Sequence, residues 1–195
     1  MDYNFFATVS RMKYIERWAL MRNTREENLS EHSLDVSMIA HALCVIGNVR
    51  YNKSLNVEKA ALIGMYHDAS EIITGDLPTP IKYYNKTIKS AYKSLEEEAN
   101  QSLLNQLPED IRPAFSDLFF KTEELSEEWK LVKAADKLSA LIKCIEEEKT
   151  GNREFVKARE ATERSIEAMA NEHPEVRDFM QEFMPAYSKT LDEIS

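Results

Sequence analysis

Four residues in three separate stretches of this 195-residue chain are of the types that hold a metal ion: His32, the adjacent pair His67-Asp68, and the distant Asp136. Two imidazoles and two carboxylates make a mixed nitrogen and oxygen donor set. Such a set suits a divalent cation of intermediate hardness and leaves coordination positions open for water and substrate. That is the equipment of a metallohydrolase. Each residue also has a plainer reading. A lone histidine on an apolar face is usually a satisfied core histidine; we read His41 in that way, and His173, just before Pro174, as a surface residue. An inward aspartate can pair with lysine or arginine instead of a metal, and a His-Asp dipeptide means little alone. The joint order of His, His-Asp and Asp on three helical segments carries the metal reading.

Those segments must aim the donors. From about Ser30 to Ile46, the residues Leu34, Met38, Ile39, Ala42, Val45 and Ile46 recur with a helical period. Ser30 is the expected N-cap, Glu31 suits the helix dipole, and Gly47-Asn48 is the expected end. His32 leads the inward row Val36, Ile39, Ala40 and Leu43. Its place in the first turn disfavours imidazolium and keeps the neutral ring that a metal needs. A second helix is expected from about Val57 to Ile72, where Ala60, Ala61 and Gly64 let another backbone come close before His67-Asp68, and Glu71 follows one turn later. The prolines make Asp76-Leu77-Pro78-Thr79-Pro80 extended or turned.

Thr79 is placed to cap the next helix with Pro80 at its first position, and that helix is expected to reach about Leu107 before Pro108. A shorter helix over Pro113 to Phe120 precedes a strong one from Ser126 to about Lys149, closed by Gly151-Asn152. Within it Asp136 lies among Val132, Ala135, Ser139 and Ala140, where an ionised carboxylate is costly unless paired or bound to metal. Two further helices, at roughly 154–171 and 174–193, complete an all-α chain. We read residues 1–195 as a single domain, a helical bundle with the metal site between helices.

A hydrophobic content of 43% beside 30% charged residues fits a globular domain rather than a disordered chain. The formal charge of −9 argues against broad binding to a nucleic-acid polymer, which needs a basic face. A single phosphate ester is still open, because a metal and a few arginines reverse the local field. With no basic and apolar leader, and no apolar stretch approaching membrane-spanning length, no membrane partner is expected. Cys44 and Cys144 read as reduced core residues, and the expected compartment is the cytoplasm.

The stretches around the donors resemble one family. SEHSLDVSMIAHAL around His32, MYHDASEIITGDLPTP around His67-Asp68 and LVKAADKLSALIKC around Asp136 are similar to those of the bacterial 5′-deoxynucleotidases of the HD-domain superfamily, often called YfbR-like. FFATVSRMKYIERWALMRNTREENLSEHS near the N-terminus and the terminal LDEIS are similar too. The HD motif is shared across the superfamily; the RW and DLPTP elements narrow it, while the helices at about 85–130 match less distinctly. The resemblance implies an all-helical homodimer that removes phosphate from 2′-deoxyribonucleoside 5′-monophosphates. It implies a divalent metal, typically cobalt, with manganese or copper as substitutes. Carried over by motif, His32, His67, Asp68 and Asp136 are implied as metal ligands and Glu71 as the catalytic residue. Arg17, Trp18, Asp76, Leu77, Pro78 and Thr79, with the ligands His32 and Asp68, are implied to meet the nucleotide.

The residue types suit that chemistry. A phosphomonoester dianion repels hydroxide, so hydrolysis needs charge neutralisation and a placed nucleophile, and a metal supplies both. Glu71 can orient the water and handle its proton, where the plain alternative is a surface carboxylate. Arg17 offers a guanidinium fork and Trp18 a flat wall; the alternatives are a solvated arginine and a core tryptophan. Asp76 can accept from a sugar hydroxyl or simply follow Gly75 in a turn, and a cap at Thr79 leaves helix N–H groups where a phosphate fits. Arg22, Arg25 and Lys82 are secondary cationic candidates. Two rival functions are weaker. An HD phosphohydrolase of nucleoside triphosphates, cyclic nucleotides or stringent-response nucleotides needs more basic residues than surround Arg17. An idle module stapled by a metal leaves Glu71 and Arg17-Trp18 without a role.

Overall fold

The computed structural model describes residues 3–82 and 84–194, and the side chain of Thr79 lies outside the described residues. The helices are α1 (Phe5–Val9), α2 (Leu29–Tyr51), α3 (Val57–Tyr66), α4 (Glu71–Thr74), α5 (Thr79–Lys82) and α6 (Lys86–Leu104). They continue as α7 (Pro113–Phe119), α8 (Ser126–Lys149), α9 (Val156–Glu172), α10 (Pro174–Glu182) and α11 (Leu191–Ile194). Tighter 3-10 turns cover Ser10–Tyr14, Arg153–Phe155 and Met184–Ser188. Among the described residues there is no strand, only an antiparallel bridge between Glu16 and Asn28. The fold is all-α, as expected.

The central helix is α2, which packs against α3, α8 and α10. It buries Leu29, Val36, Ile39, Ala40 and Leu43 against Leu131, Ala135, Leu138 and Leu141 of α8. At 23 residues α2 is long and apolar enough to cross a membrane, which corrects the expectation that no stretch has that length; yet 56% of its apolar window is buried among the other helices. Helix α3 lies close against it. A Cβ at Gly64 would come within 2.8 Å of the Ser37 Cα, and the Ser37 hydroxyl donates to the Ala61 carbonyl at 2.8 Å.

Several expected boundaries move, each for a local reason. Asn28, not Ser30, caps α2: its side chain accepts from Ser30 and Glu31 N–H while Glu31 reaches back to the Asn28 N–H. The helix also runs through Gly47 to Asn52, which takes the left-handed cap at φ 52°. Gly47 serves packing, since a Cβ there would lie 2.9 Å from Leu55. The expected 57–72 helix stops at Tyr66, so His67 and Asp68 sit in a turn and Glu71 opens α4. The expected helix to Leu107 is divided, because Asn85, extended at φ −152°, caps a fresh start at Lys86 through the Ile88 N–H. The last expected helix breaks at Met184–Ser188, where Pro185 cannot continue the hydrogen-bond ladder. His41 is exposed and His173 is buried, the reverse of expectation. Both cysteines are buried and free.

Candidate active site

Three elements bring the donors together: the first turns of α2, the turn after α3, and the middle of α8. His32 is fully buried, with Nδ1 3.0 Å from the Ser139 hydroxyl one turn beyond Asp136 on α8. Its Nε2 lies 3.3 Å from Asp136 Oδ1 and 3.6 Å from Asp68 Oδ2. His67 Nδ1 is 2.8 Å from the Gly64 carbonyl. A carbonyl only accepts, so Nδ1 carries the proton and Nε2 keeps its lone pair, 3.1 Å from Asp68 Oδ2. One ligand atom from each of His32, His67, Asp68 and Asp136 lies within 4.8 Å of every other. Among the described residues neither histidine Nε2 has a hydrogen-bond partner. Buried imidazole nitrogens left without a hydrogen-bond partner beside two carboxylates are costly unless a cation joins them. The donor set fits a divalent metal ion.

The field holds three of the four groups, His32, Asp68 and Asp136, in ligand form, and His67 is the exception. Burial, and then the nearby Arg17 guanidinium, push His32 down to about 4, so the ring is neutral. Burial disfavours the His67 imidazolium too, but Asp68, Asp136 and the Gly64 carbonyl together outweigh it; the net direction is upward, so a bound metal competes with a ring proton there. Burial opposes ionisation of Asp68, yet His67 draws it down to about 2. Asp136 is likewise held well below the usual carboxylate range against its burial, by His32 and by Lys137 at 3.0 Å.

Glu71 stands apart from the four ligands. It is 5% exposed, and its Oε2 has no hydrogen-bond partner among the described residues. Burial first, and then the Asp68 and Asp76 carboxylates, push it up to about 9 despite Lys82 and Arg17, so without a metal ion in the adjacent cluster it holds its proton at neutral pH.

Arg17 and Trp18 come from an irregular segment that is hydrogen-bonded to the approach to α2. The Leu29 N–H donates to the Ile15 carbonyl and the Arg17 N–H to the Glu27 carbonyl, each at 2.9 Å. The Arg17 side chain is 11% exposed, with Nη1 3.0 Å from Glu27 Oε2 and Nη2 4.0 Å from Asp136 Oδ1. Trp18 has φ 59°, its indole N–H donates to Glu27 Oε2 at 3.1 Å, and its ring lies 5.3 Å from Phe155. Its backbone N–H meets the Asp76 carboxylate, whose pKa burial raises.

A cavity of about 680 Å³ opens here, walled by Arg17, Trp18, Asp76, Pro78 and Asp136. Its far wall is a small-residue face of α9, including Ala158, Ala161, Thr162 and Ser165. Leu77 is half-buried and not part of the wall, and the Thr79 side chain lies outside the described residues. Of the four clustered donor residues Asp136 reaches this wall, and His32 and Asp68 are not part of it. The secondary cations are engaged elsewhere: exposed Arg22 with Glu154, exposed Arg25 with Glu31, and Lys82 with Glu96 at 2.7 Å. Sequence reasoning missed Glu27, Ser139 and the α9 face. The row 158, 161, 162 and 165 has helical spacing, but nothing local says what it faces.

The chain matches the family model described as 5′-deoxynucleotidase YfbR-like over residues 4–187. It is 50% identical over 192 residues to proteins named 5′-deoxynucleotidase from Enterobacter sp. (strain 638) and Yersinia pestis (strain Pestoides F), covering 98% of this chain and 96% of each relative. Among solved structures it is similar to an HD-domain phosphohydrolase from Listeria innocua, with a TM-score of 0.78, 23% identity, and 94% and 88% of the two chains covered. It is also similar to an HD phosphohydrolase of cyanophage S-2L bound to dA and one catalytic Zn²⁺, with a TM-score of 0.65, 20% identity, and 94% and 96% covered. At those identities the two structures speak for the fold.

Proposed function

This chain belongs to the YfbR-like 5′-deoxynucleotidase family, and from that premise we propose that it is a metal-dependent phosphoric monoester hydrolase that converts 2′-deoxyribonucleoside 5′-monophosphates to deoxynucleoside and phosphate. The observation that carries this reading is the convergence of four ligand atoms within 4.8 Å behind a cavity walled by Arg17 and Asp136. His32, His67, Asp68 and Asp136 would hold a divalent metal. When bound, the metal supplies an activated water and polarises a phosphoryl oxygen.

The chain's own residues do the rest. Arg17 binds the phosphate oxygens with the guanidinium nitrogen that Glu27 leaves available. Glu71 orients the attacking water, takes its proton on the unpaired Oε2 and returns it to the leaving 5′-oxygen. Trp18 and the loop of Asp76, Leu77, Pro78 and Thr79 bound the sugar, with Asp76 accepting from a hydroxyl. His32 and Asp68 complete the floor beneath the phosphate. The small α9 face leaves room for any common base. A structural neighbour bound to dA and Zn²⁺ supports a deoxynucleoside moiety and a divalent metal in this fold. Of the divalent metals cobalt best supports turnover in our reading, with manganese or copper as substitutes.

We read residues 1–195 as one domain and the working form as a homodimer in the cytoplasm. An outward stripe on α2 supports the dimer: Leu34 and Met38 are each 55% exposed and Val49 is 75% exposed. Exposed Leu62 and Met65 on neighbouring α3 add to it. Burial pushes the thiols of Cys44 and Cys144 up to about 12, which suits reduced residues. Phosphate release from deoxyadenosine monophosphate, deoxyadenosine triphosphate and a cyclic dinucleotide, each with added metal, tests the reading. Turnover of the monophosphate alone is expected; preference for either of the others would replace it with a different HD phosphohydrolase. Sedimentation of the same sample tests the dimer.

A further inference from the structure

One carboxylate joins three parts of the site that lie apart in the sequence. Glu27 Oε2 accepts from Arg17 Nη1 at 3.0 Å and from the Trp18 indole N–H at 3.1 Å. Its other oxygen, Oε1, faces His32 Nδ1 at 3.8 Å. The Glu27 carbonyl also accepts the Arg17 backbone N–H at 2.9 Å, so main chain and side chain both grip the same short segment. The side chain is 12% exposed, which removes most competition from water.

We propose that Glu27 is a positioning residue that sets the Arg17 fork and the Trp18 wall relative to the metal ligands, and so governs nucleotide affinity and sugar discrimination without touching substrate. The inference rests on the deoxynucleotidase reading above. Two features argue for more than a structural ion pair. First, Arg17 is divided: Nη1 is held by Glu27 while Nη2 points toward Asp136 Oδ1 at 4.0 Å. A rigid planar fork fixed at one nitrogen presents the other in a set place, so Glu27 decides where the phosphate-facing half stands. Second, Trp18 has φ 59°, which is costly for a bulky residue and persists only where neighbours over-determine it. Three neighbours do so. Glu27 holds the indole, Asp76 meets the backbone N–H, and Asn23 Nδ2 donates to the Trp18 carbonyl at 3.3 Å.

Two variants separate the two tasks. Glu27→Gln keeps an amide oxygen for the indole but no charge for Arg17. It is expected to raise KM for deoxyadenosine monophosphate about 10-fold, the scale of one charge-assisted hydrogen bond, with kcat and sugar discrimination little changed. Glu27→Ala releases both groups; it is expected to raise KM further and to lower discrimination against adenosine monophosphate by about 10-fold, with metal content still stoichiometric. The chain has two tryptophans, so a Trp129→Phe background leaves Trp18 as the sole emitter. In that background Glu27→Ala is expected to red-shift the emission and Glu27→Gln to leave it in place. Wild-type KM and discrimination in both variants overturn the proposal, as does loss of metal in Glu27→Ala with KM unchanged. If Glu27→Ala fails to fold, the KM of Glu27→Gln decides alone, and a wild-type value overturns the proposal. Unsubstituted protein in the same assay keeps the two readings distinct: its failure on deoxyadenosine monophosphate sinks the nucleotidase reading, while Trp18 emission still tests Glu27.

Discussion

Two buried groups of histidine and carboxylates lie against α2, one toward each end, and they differ in what stands between their charges. Toward the C-terminal end, Glu175 is fully buried and Lys53 Nζ reaches its Oε1 at 2.7 Å, with His173 Nδ1 3.8 Å away. Nearby, buried Glu128 accepts the Asn56 N–H at 2.8 Å. The cation there is built into the chain. Toward the N-terminal end, two Nε2 atoms without a hydrogen-bond partner and two carboxylates converge on one another, and among the described residues this is the one group arranged to hold a metal. Burial alone therefore does not mark a site. Convergence of four ligand atoms, each within 4.8 Å of every other, does.

That contrast can be broken by substitution. The largest effects belong to the N-terminal group: Asp136→Ala or His67→Ala is expected to lose bound metal and activity together, by about 1000-fold or more, and to lower thermal stability. Stoichiometric metal in purified Asp136→Ala, by elemental analysis, would refute the assignment. Next comes Glu71→Ala, expected to keep the metal and bind nucleotide while kcat falls by about 100-fold. Near wild-type turnover would make Glu71 a bystander and send the search to another base.

Lys53→Met touches only the other group. It strands the Glu175 carboxylate and is expected to cost about 2–4 kcal/mol of stability, less than for a fully buried pair because Lys53 is 27% exposed. Activity per folded molecule and metal content should not change; chemical denaturation and elemental analysis on one sample check both. The smallest effect is expected at exposed His41, where His41→Ala should shift stability by less than about 0.5 kcal/mol and leave metal and turnover intact. Loss of metal in that variant would mean the ligand set is misassigned.

What was readable in the sequence follows from how local each signal is. His32, Val36, Ile39 and Leu43 share a helical face, so one period points His32 inward. The same period, followed further, accounts for His41. It lies nine residues on, about two and a half turns at 3.6 residues per turn, and so emerges on the opposite face. His173 could not be placed that way, because its burial depends on how α10 docks on α2. The breaks at His67–Ser70 and before Lys86 were missed because a turn and an asparagine cap outweigh an apolar pattern that continues across them. Glu27 left no periodic trace at all: its partners are 10, 9 and 5 residues away across an irregular loop.

The most direct test of the account is the sugar. An apolar wall alone discriminates against an extra hydroxyl by about 100-fold, and a rigid wall such as Trp18 with the Pro78 loop can exceed that. Steady-state kinetics on deoxyadenosine, thymidine and adenosine 5′-monophosphates, and on a deoxynucleoside 3′-monophosphate, decide the matter. Comparable kcat/KM is expected for the two deoxy 5′-compounds, with values at least about 100-fold lower for the adenosine compound and the 3′-ester. Equal kcat/KM for adenosine and deoxyadenosine 5′-monophosphates would contradict the deoxynucleotidase reading while leaving the metal site intact.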